Sequence, residues 1–329
     1  MSRFELRQSF LLFLTSFFWG TNFVAQSVAM DYTDPFAFIA ARSIIGGCFL
    51  LPVIAFLNYK KRQKEALGTL VQTSSSKQER QKFKTNSLKI ALLGGALCGI
   101  LLFAVSTLQQ YALLYTTVGK AGFLTSLYIV IVPLLSLCFG HRGNFRLWLG
   151  VGLAVVGLYL LSIHGDFSLN PGDSMMMLCA LVDSVHILVI DRFAVKTCPV
   201  KMSCVQFFGC AFLATVASLI FESNQISGVS NAIWQVLYAG LLSSGIAYTL
   251  QMVGQCGLNP TYAALIMSLE AVIAAVSGWV VLDETFTLRE LVGCVLMFMA
   301  IIVVQVPLSF IKEQWGCTLN RPRRASLDC

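Results

Sequence analysis

Apolar residues in this chain come in long unbroken runs rather than in alternation with polar ones. A helix that crosses the core of a bilayer needs about 20 consecutive, mostly apolar residues. Ten stretches meet that description: 9–29, 35–57, 88–110, 117–139, 145–163, 173–193, 201–221, 233–253, 259–282 and 288–310. Turn-forming or charged residues stand between them, among them Asp31 to Pro35, His141 to Asn144, Asn170 to Asp173, Asn259-Pro260 and Asp283 to Thr285. One long hydrophilic segment, 58–87, is rich in Lys, Gln and Ser and reads as a flexible loop. The pattern predicts an all-α integral membrane protein of ten transmembrane helices. Arg3 and Arg7 precede the first run, but that run is too long for a cleaved signal peptide and is expected to be retained.

Composition narrows the class. Of 329 residues, 57% are hydrophobic and 12% charged, against roughly 45–50% and 25% in soluble domains. This excludes an ordinary soluble enzyme, a nucleic-acid-binding domain and a disordered tail. The 11 cysteines form no C-x-x-C pair and sit mostly in apolar runs, Cys98, Cys179 and Cys210 among them. They are expected to pack between helices as small apolar residues.

The net charge of +7 is distributed by side. With the N-terminus placed in the cytoplasm, the inner segments collect Arg3, Arg7, Lys60, Lys61, Arg62, Lys89, Arg142, Arg146, Arg192, Lys196, Lys201, Lys312 and Arg321. The opposite loops hold Asp31, Asp34, Asp166, Asp173, Glu222, Asp283, Glu284 and Glu290, with Arg289 as their base. Lys and Arg concentrate on the cytoplasmic side of membrane proteins, so both termini are expected in the cytoplasm. The expected location is a cell membrane, the inner membrane if the source is bacterial.

Thr107-Leu108-Gln109 returns as Thr249-Leu250-Gln251, and Ala121 and Ser126-Leu127 return as Ala263 and Ser268-Leu269 at the same offset. One further residue aligns Gly150 with Gly293. Each half then holds five spans, and an odd number inserts the second half upside down. The expected halves are 1–163 and 173–310, with 311–329 as a cytoplasmic tail. Inverted repeats are a signature of secondary transporters, whose substrate site lies near mid-membrane between the halves.

Several motifs in order and spacing resemble one family. Trp19-Gly20-Thr21-Asn22, Pro35 followed by Ala40-Ala41-Arg42, Lys120-Ala121-Gly122-Phe123-Leu124 with Pro133, and Ser268-Leu269-Glu270 followed by Gly278 to Glu284 look like EamA-type repeats of the drug/metabolite transporter superfamily. The resemblance covers nearly the whole chain outside 58–87 and the tail. It implies ten helices, alternating access around a central cavity, and the movement of amino acids or nucleotide-like metabolites. Ala271 and Asp183-Ser184 depart from the family's usual residues at those places.

Four ionisable groups fall inside spans, namely Arg42, Asp183, His186 and Glu270, and Lys120 sits near a span end. A charge at the centre of a helix costs about 2.5–3.5 kcal/mol on insertion scales, so such groups face a cavity or a partner. His186 follows Asp183 by three residues, on the same helix face. The repeat maps Asp183 onto Trp19, His186 onto Asn22 and Glu270 onto Tyr128, which places all six around one space. Trp19, Asn22 and Gln26 form a polar stripe on the first helix.

Two readings stand for these groups. In one, Glu270 and Asp183, with His186, engage an amino-bearing substrate, a coupling proton, or both in turn, because protonation and cation binding compete at a carboxylate. Trp19, Asn22, Gln26 and Tyr128 then complete the substrate site. In the other, Glu270 forms a structural ion pair with Lys120 or Arg42, and Asp183 bridges to His186.

No phosphate-binding loop, nucleophile motif or histidine spacing for a metal occurs, so no cofactor and no metal are expected. The expected partners are a small-molecule substrate, protons and the lipid bilayer, and no nucleic acid. The leading functional expectation is a secondary transporter of a small polar metabolite by proton coupling or exchange. An amino acid or an amino-acid-bearing nucleoside such as S-adenosylmethionine is the favoured substrate. Efflux of organic cations is the competing reading; a lipid scramblase or a membrane-embedded enzyme stands behind both.

Overall fold

The computed structural model describes residues 3–68, 77–138, 145–162, 170–223, 225–283 and 287–305. Every regular element among them is helical. In chain order these are α1 (Arg3–Ala29), α2 (Pro35–Gly68), α3 (Lys77–Ala112), α4 (Val118–Thr125), α5 (Tyr128–Cys138), α6 (Phe145–Ser162) and α7 (Pro171–Ala194). There follow α8 (Pro199–Phe221), α9 (Gln225–Asn231), α10 (Ile233–Tyr238), a π-helical segment (Ala239–Tyr248), α11 (Thr249–Gln255), α12 (Pro260–Met267), α13 (Leu269–Leu282) and α14 (Leu288–Gln305). The tail 311–329 and the histidines His141 and His164 lie outside the described residues.

Seven spans among the described residues are long and apolar enough to cross a membrane, where the sequence predicts ten. Two of the other three predicted runs hold shorter apolar helices, Phe145–Leu160 and Leu291–Val304. The third lies in α1, whose buried face carries Gln8, Ser9, Thr15, Ser16, Asn22 and Gln26. Large apolar side chains such as Phe212, Leu219, Phe221, Trp234, Val280 and Leu288 are exposed, as they must be when lipid is the solvent. The chain is a multi-pass membrane protein.

Local chemistry sets the helix starts. Asn170 opens α7 with a reciprocal capping box to Asp173 and Pro171 in the first turn, and Asn259 with Pro260 opens α12. Both arrangements satisfy amides that a helix leaves unpaired at its N-terminus.

Two predicted features are corrected. The segment 58–87 is not a loop throughout, because α2 continues to Gly68 and α3 begins at Lys77; its Lys, Gln, Glu and Ala residues are good helix formers. Cys48 and Cys138 are exposed rather than packed between helices, whereas Cys98, Cys179, Cys204, Cys210 and Cys294 are buried.

The runs 117–139 and 259–282 each divide at one point. Between α4 and α5, Leu127 N–H bonds Leu124 O and Ile129 N–H bonds Ser126 O, three residues back rather than four. Between α12 and α13, Ala271 N–H bonds Ser268 O in the same way. Both breaks fall at serines aligned by the repeat. The Ser268 hydroxyl takes up the Leu265 carbonyl at 2.8 Å.

Helices of the first half pack mainly on helices of the second. α1 lies on α13, α11 and the π segment; α2 lies on α8 and the π segment; α3 lies on α7 and α8; α4 lies on α13 and α7. α6 pairs with α14. Interior space therefore opens where α1, α2, α3 and α4 face α7, the π segment and α13. Where α2, α4 and α7 begin, acids tie the ends: Glu222 accepts the Phe36 and Ala37 amides at 2.6 and 2.8 Å, and Asp173 accepts Lys120 Nζ at 2.6 Å.

Candidate functional site

The interior space is a narrow cavity of about 20 Å3, on the scale of a single buried water. α1 contributes Trp19, Asn22, Phe23 and Gln26; α2 contributes Arg42; α3 contributes Val105 and Gln109; α4 contributes Thr125. From the other half come Asp183 on α7, Ser243 and Tyr248 on the π segment, and Glu270 on α13. Three formally charged residues thus share one cavity, and each is nearly inaccessible: Arg42 3%, Asp183 4% and Glu270 2% exposed.

Local backbone places them. Glu270 is the second residue of α13, directly after the break at Ser268. Broken helices of this kind form the binding sites of many transporters. Tyr248 closes the π-helical segment, and π segments also concentrate at functional sites. Two glycines let the neighbouring helices close on Glu270. A Cβ on Gly20 would fall 2.6 Å from Ile273 Cβ and 2.8 Å from the Glu270 carbonyl oxygen, and one on Gly122 would fall 2.7 Å from Ala274 Cβ.

The expected stripe Trp19, Asn22, Gln26 lines the cavity together with Asp183 and Glu270. Trp19 packs on Tyr248 with ring centroids 4.6 Å apart. Trp19 Nε1, Asn22 Oδ1 and Glu270 Oε1 are buried without hydrogen-bond partners, an arrangement that costs free energy unless a ligand or water satisfies them. Tyr128 is fully buried in the adjoining core and is not among the residues that line the cavity. His186 also stands behind the lining, with Nε2 2.9 Å from Gln206 Oε1 and Nδ1 3.5 Å from Asp183 Oδ1.

The expected pairs for Glu270 are corrected, whereas the expected Asp183–His186 bridge is present at 3.5 Å. Lys120 does not reach Glu270; it pairs with Asp173, which also accepts the Thr116 hydroxyl at 3.1 Å and the Asn170 amide at 2.9 Å. Lys120 lies at a span end, and Asp173, three residues into α7, lies within its reach. Arg42 does not pair with Glu270 either. Its guanidinium donates to Gln26 Oε1 at 3.3 Å and Ser106 Oγ at 2.7 Å. Among the described residues no carboxylate comes within 4.0 Å of it.

Sequence reasoning missed Tyr248, Gln109, Ser243 and Gln206. A signal existed for two of them: Gln109 belongs to the repeated Thr-Leu-Gln triplet, and Tyr248 directly precedes its second copy.

The model of the EamA-like transporter family matches this chain twice, over residues 6–163 and 170–306. The chain belongs to the EamA-like transporter family. An uncharacterized transporter of Archaeoglobus fulgidus is 29% identical over 296 residues, covering 90% of this chain and 84% of its own length. The uncharacterized transporter YoaV of Bacillus subtilis is 26% identical over 289 residues, covering 85% of this chain and 90% of its own. A solved crystal structure shares the fold with a TM-score of 0.67 at 17% identity, covering 94% of this chain and 99% of that one. This EamA-like protein is therefore a membrane transporter and not an enzyme, with a small molecule as its substrate.

Proposed function

We propose that this transporter moves a small polar metabolite bearing an amino group, an amino acid or an amino-acid-bearing nucleoside such as S-adenosylmethionine. It does so by alternating access between two inverted halves, 1–163 and 173–310. Glu270 and Asp183 hold the substrate's ammonium or a proton in turn, and His186 behind Asp183 serves the proton. Trp19, Asn22 and Gln26 orient the substrate, with Tyr128 supporting the site from the core.

One observation carries this reading: two buried carboxyl groups from different helices line one cavity, each without Lys or Arg within 4.0 Å among the described residues. A buried acid that serves only architecture is paired with a base, as Asp173 is with Lys120; Asp183 has His186 at 3.5 Å, whereas Glu270 keeps an unpartnered oxygen and is the acid most open to a ligand. The inverted arrangement is supported by the paired breaks before Tyr128 and Glu270 and by packing that joins one half to the other. Lys and Arg on one side favour cytoplasmic termini, and Thr116, Lys120, Asp173 and Glu222 then lie at the outer face.

The test is uptake into proteoliposomes. Glu270→Gln abolishes net transport while the purified protein keeps its melting temperature; unchanged uptake removes Glu270 from the mechanism. Collapse of the proton gradient stops concentrative uptake if protons are the coupling ion, whereas transport sustained by counter-substrate alone assigns exchange. The same acids and rings suit organic cations, so the assay includes tetraethylammonium as a competing substrate.

A further inference from the structure

Arg42 has no role in a site built only for a cation. It is buried to the same degree as the two acids and lines the same cavity. Among the described residues, two of its N–H donors have acceptors, Gln26 Oε1 and Ser106 Oγ, both neutral. A buried charge without a counter-charge is among the most costly arrangements a protein can keep. A planar fork with donors to spare matches a carboxylate better than any other common ligand group.

We infer that Arg42 is the carboxylate-binding pole of the cavity, more than 4.0 Å from the ammonium-binding pole formed by Asp183 and Glu270. The inference rests on the transport reading above and adds the second charge of the substrate. An organic cation leaves Arg42 unmatched, and a phosphate dianion brings its negative charges into a cavity that already holds two acids. A zwitterion matches both poles: its carboxylate takes the free edge of the guanidinium, and its ammonium takes one acid. The other acid then needs a proton, carried on itself or, beside Asp183, on His186 at 3.5 Å, the group a proton-coupled carrier must hold. Tyr248 lines the same cavity, with its ring against Trp19.

The test compares ligands that differ only at the carboxyl group. The purified full chain is screened by thermal shift against the proteinogenic amino acids, each beside its methyl ester, and against S-adenosylmethionine beside its decarboxylated form. Propionate and succinate are carboxylates without an amine; putrescine and tetraethylammonium are cations without a carboxylate. The expected result is a shift from one free acid that its carboxyl-blocked partner fails to produce, with affinity lower by at least about tenfold. Arg42→Gln erases that preference, and Arg42→Lys keeps part of it. Equal response to acid and ester overturns the inference, as does silence across every carboxylate. A response to the simple carboxylates alone that depends on Arg42 sustains it while removing the amino-acid reading. A response to the cations alone overturns both. The ligand pairs are compared on the unaltered protein, so the test stands even if Arg42 variants fail to fold.

Discussion

The Ser126 hydroxyl donates to the carbonyl of Ser268 across 3.4 Å, and these two serines are 142 positions apart. The same offset separates Thr107-Leu108-Gln109 from Thr249-Leu250-Gln251. Equivalent residues of a repeat touch one another only where they lie on its axis. Each serine also marks the break in its helix, and Tyr128 and Glu270 follow the breaks by two residues. If the halves are inverted as proposed, their axis passes beside the acid that the proposed mechanism needs most.

Gly20 lets α1 approach α13 closely beside Glu270. Gly20→Val drives its side chain into Ile273 and the Glu270 backbone. Overpacking of this kind costs about 1–3 kcal/mol, so a lower melting temperature and loss of uptake are expected together. Gly152→Ala is the control, since its Cβ meets nothing within 4 Å; an equal effect of the two changes would refute the account.

The Lys120–Asp173 pair joins α4 to α7, with Asp173 fully inaccessible and Lys120 at 27%. Lys120→Met leaves a buried carboxylate with one fewer donor and is expected to cost about 1–3 kcal/mol. Asp173→Asn in the same chain recovers part of the loss. A double-mutant cycle on unfolding free energies in detergent measures the coupling, and strict additivity would deny it.

Tyr248 supplies area more than polarity to its neighbours, packing on Trp19, Phe207 and His186. Tyr248→Phe is expected to keep the melting temperature within a few degrees. Tyr248→Ala, which leaves a void among three rings, costs about 3–5 kcal/mol by the usual behaviour of buried aromatics. Thermal unfolding of the two variants side by side distinguishes packing from hydrogen bonding.

Asp183 and Glu270 separate in kinetic tests if one carries the proton and the other the amine. Asp183→Asn, with His186 left on its Gln206 partner, is expected to lose accumulation driven by a proton gradient while retaining exchange of labelled for unlabelled substrate. Loss of both activities with intact folding moves Asp183 from proton handling to substrate binding.

Much of the fold was legible because bilayer crossing imposes a length and a composition that survive in any sequence. Span ends at Asn170-Pro171 and Asn259-Pro260 could be read from capping chemistry. The helix breaks could not, because neither Ser126 nor Ser268 is a strong breaker; the distortion belongs to tertiary packing. In the site, Trp19, Asn22, Gln26, Asp183 and Glu270 were legible as polar or aromatic residues out of place in apolar runs. The partners of Lys120 and Arg42 were not, since sequence gives the depth of a charge but not the helix beside it. Asp173 read as a loop acid until α7 was seen to begin before it.

The polar face of α1 carries a consequence for how the protein is made. Gln8 bonds the carbonyls of Val253 and Cys256, Thr15 that of Ala247, Ser16 that of Ile266, and Thr21 meets Tyr238, at separations of 217 to 250 residues. None of these acceptors exists when α1 leaves the ribosome. Thr15, Ser16 and Thr21 meanwhile bond carbonyls of their own helix, so Gln8 is the side chain among these four whose acceptors come with the later chain. Contacts so distant in sequence form slowly, so the polar face of α1 settles only once the segment from Tyr238 to Ile266 is in place.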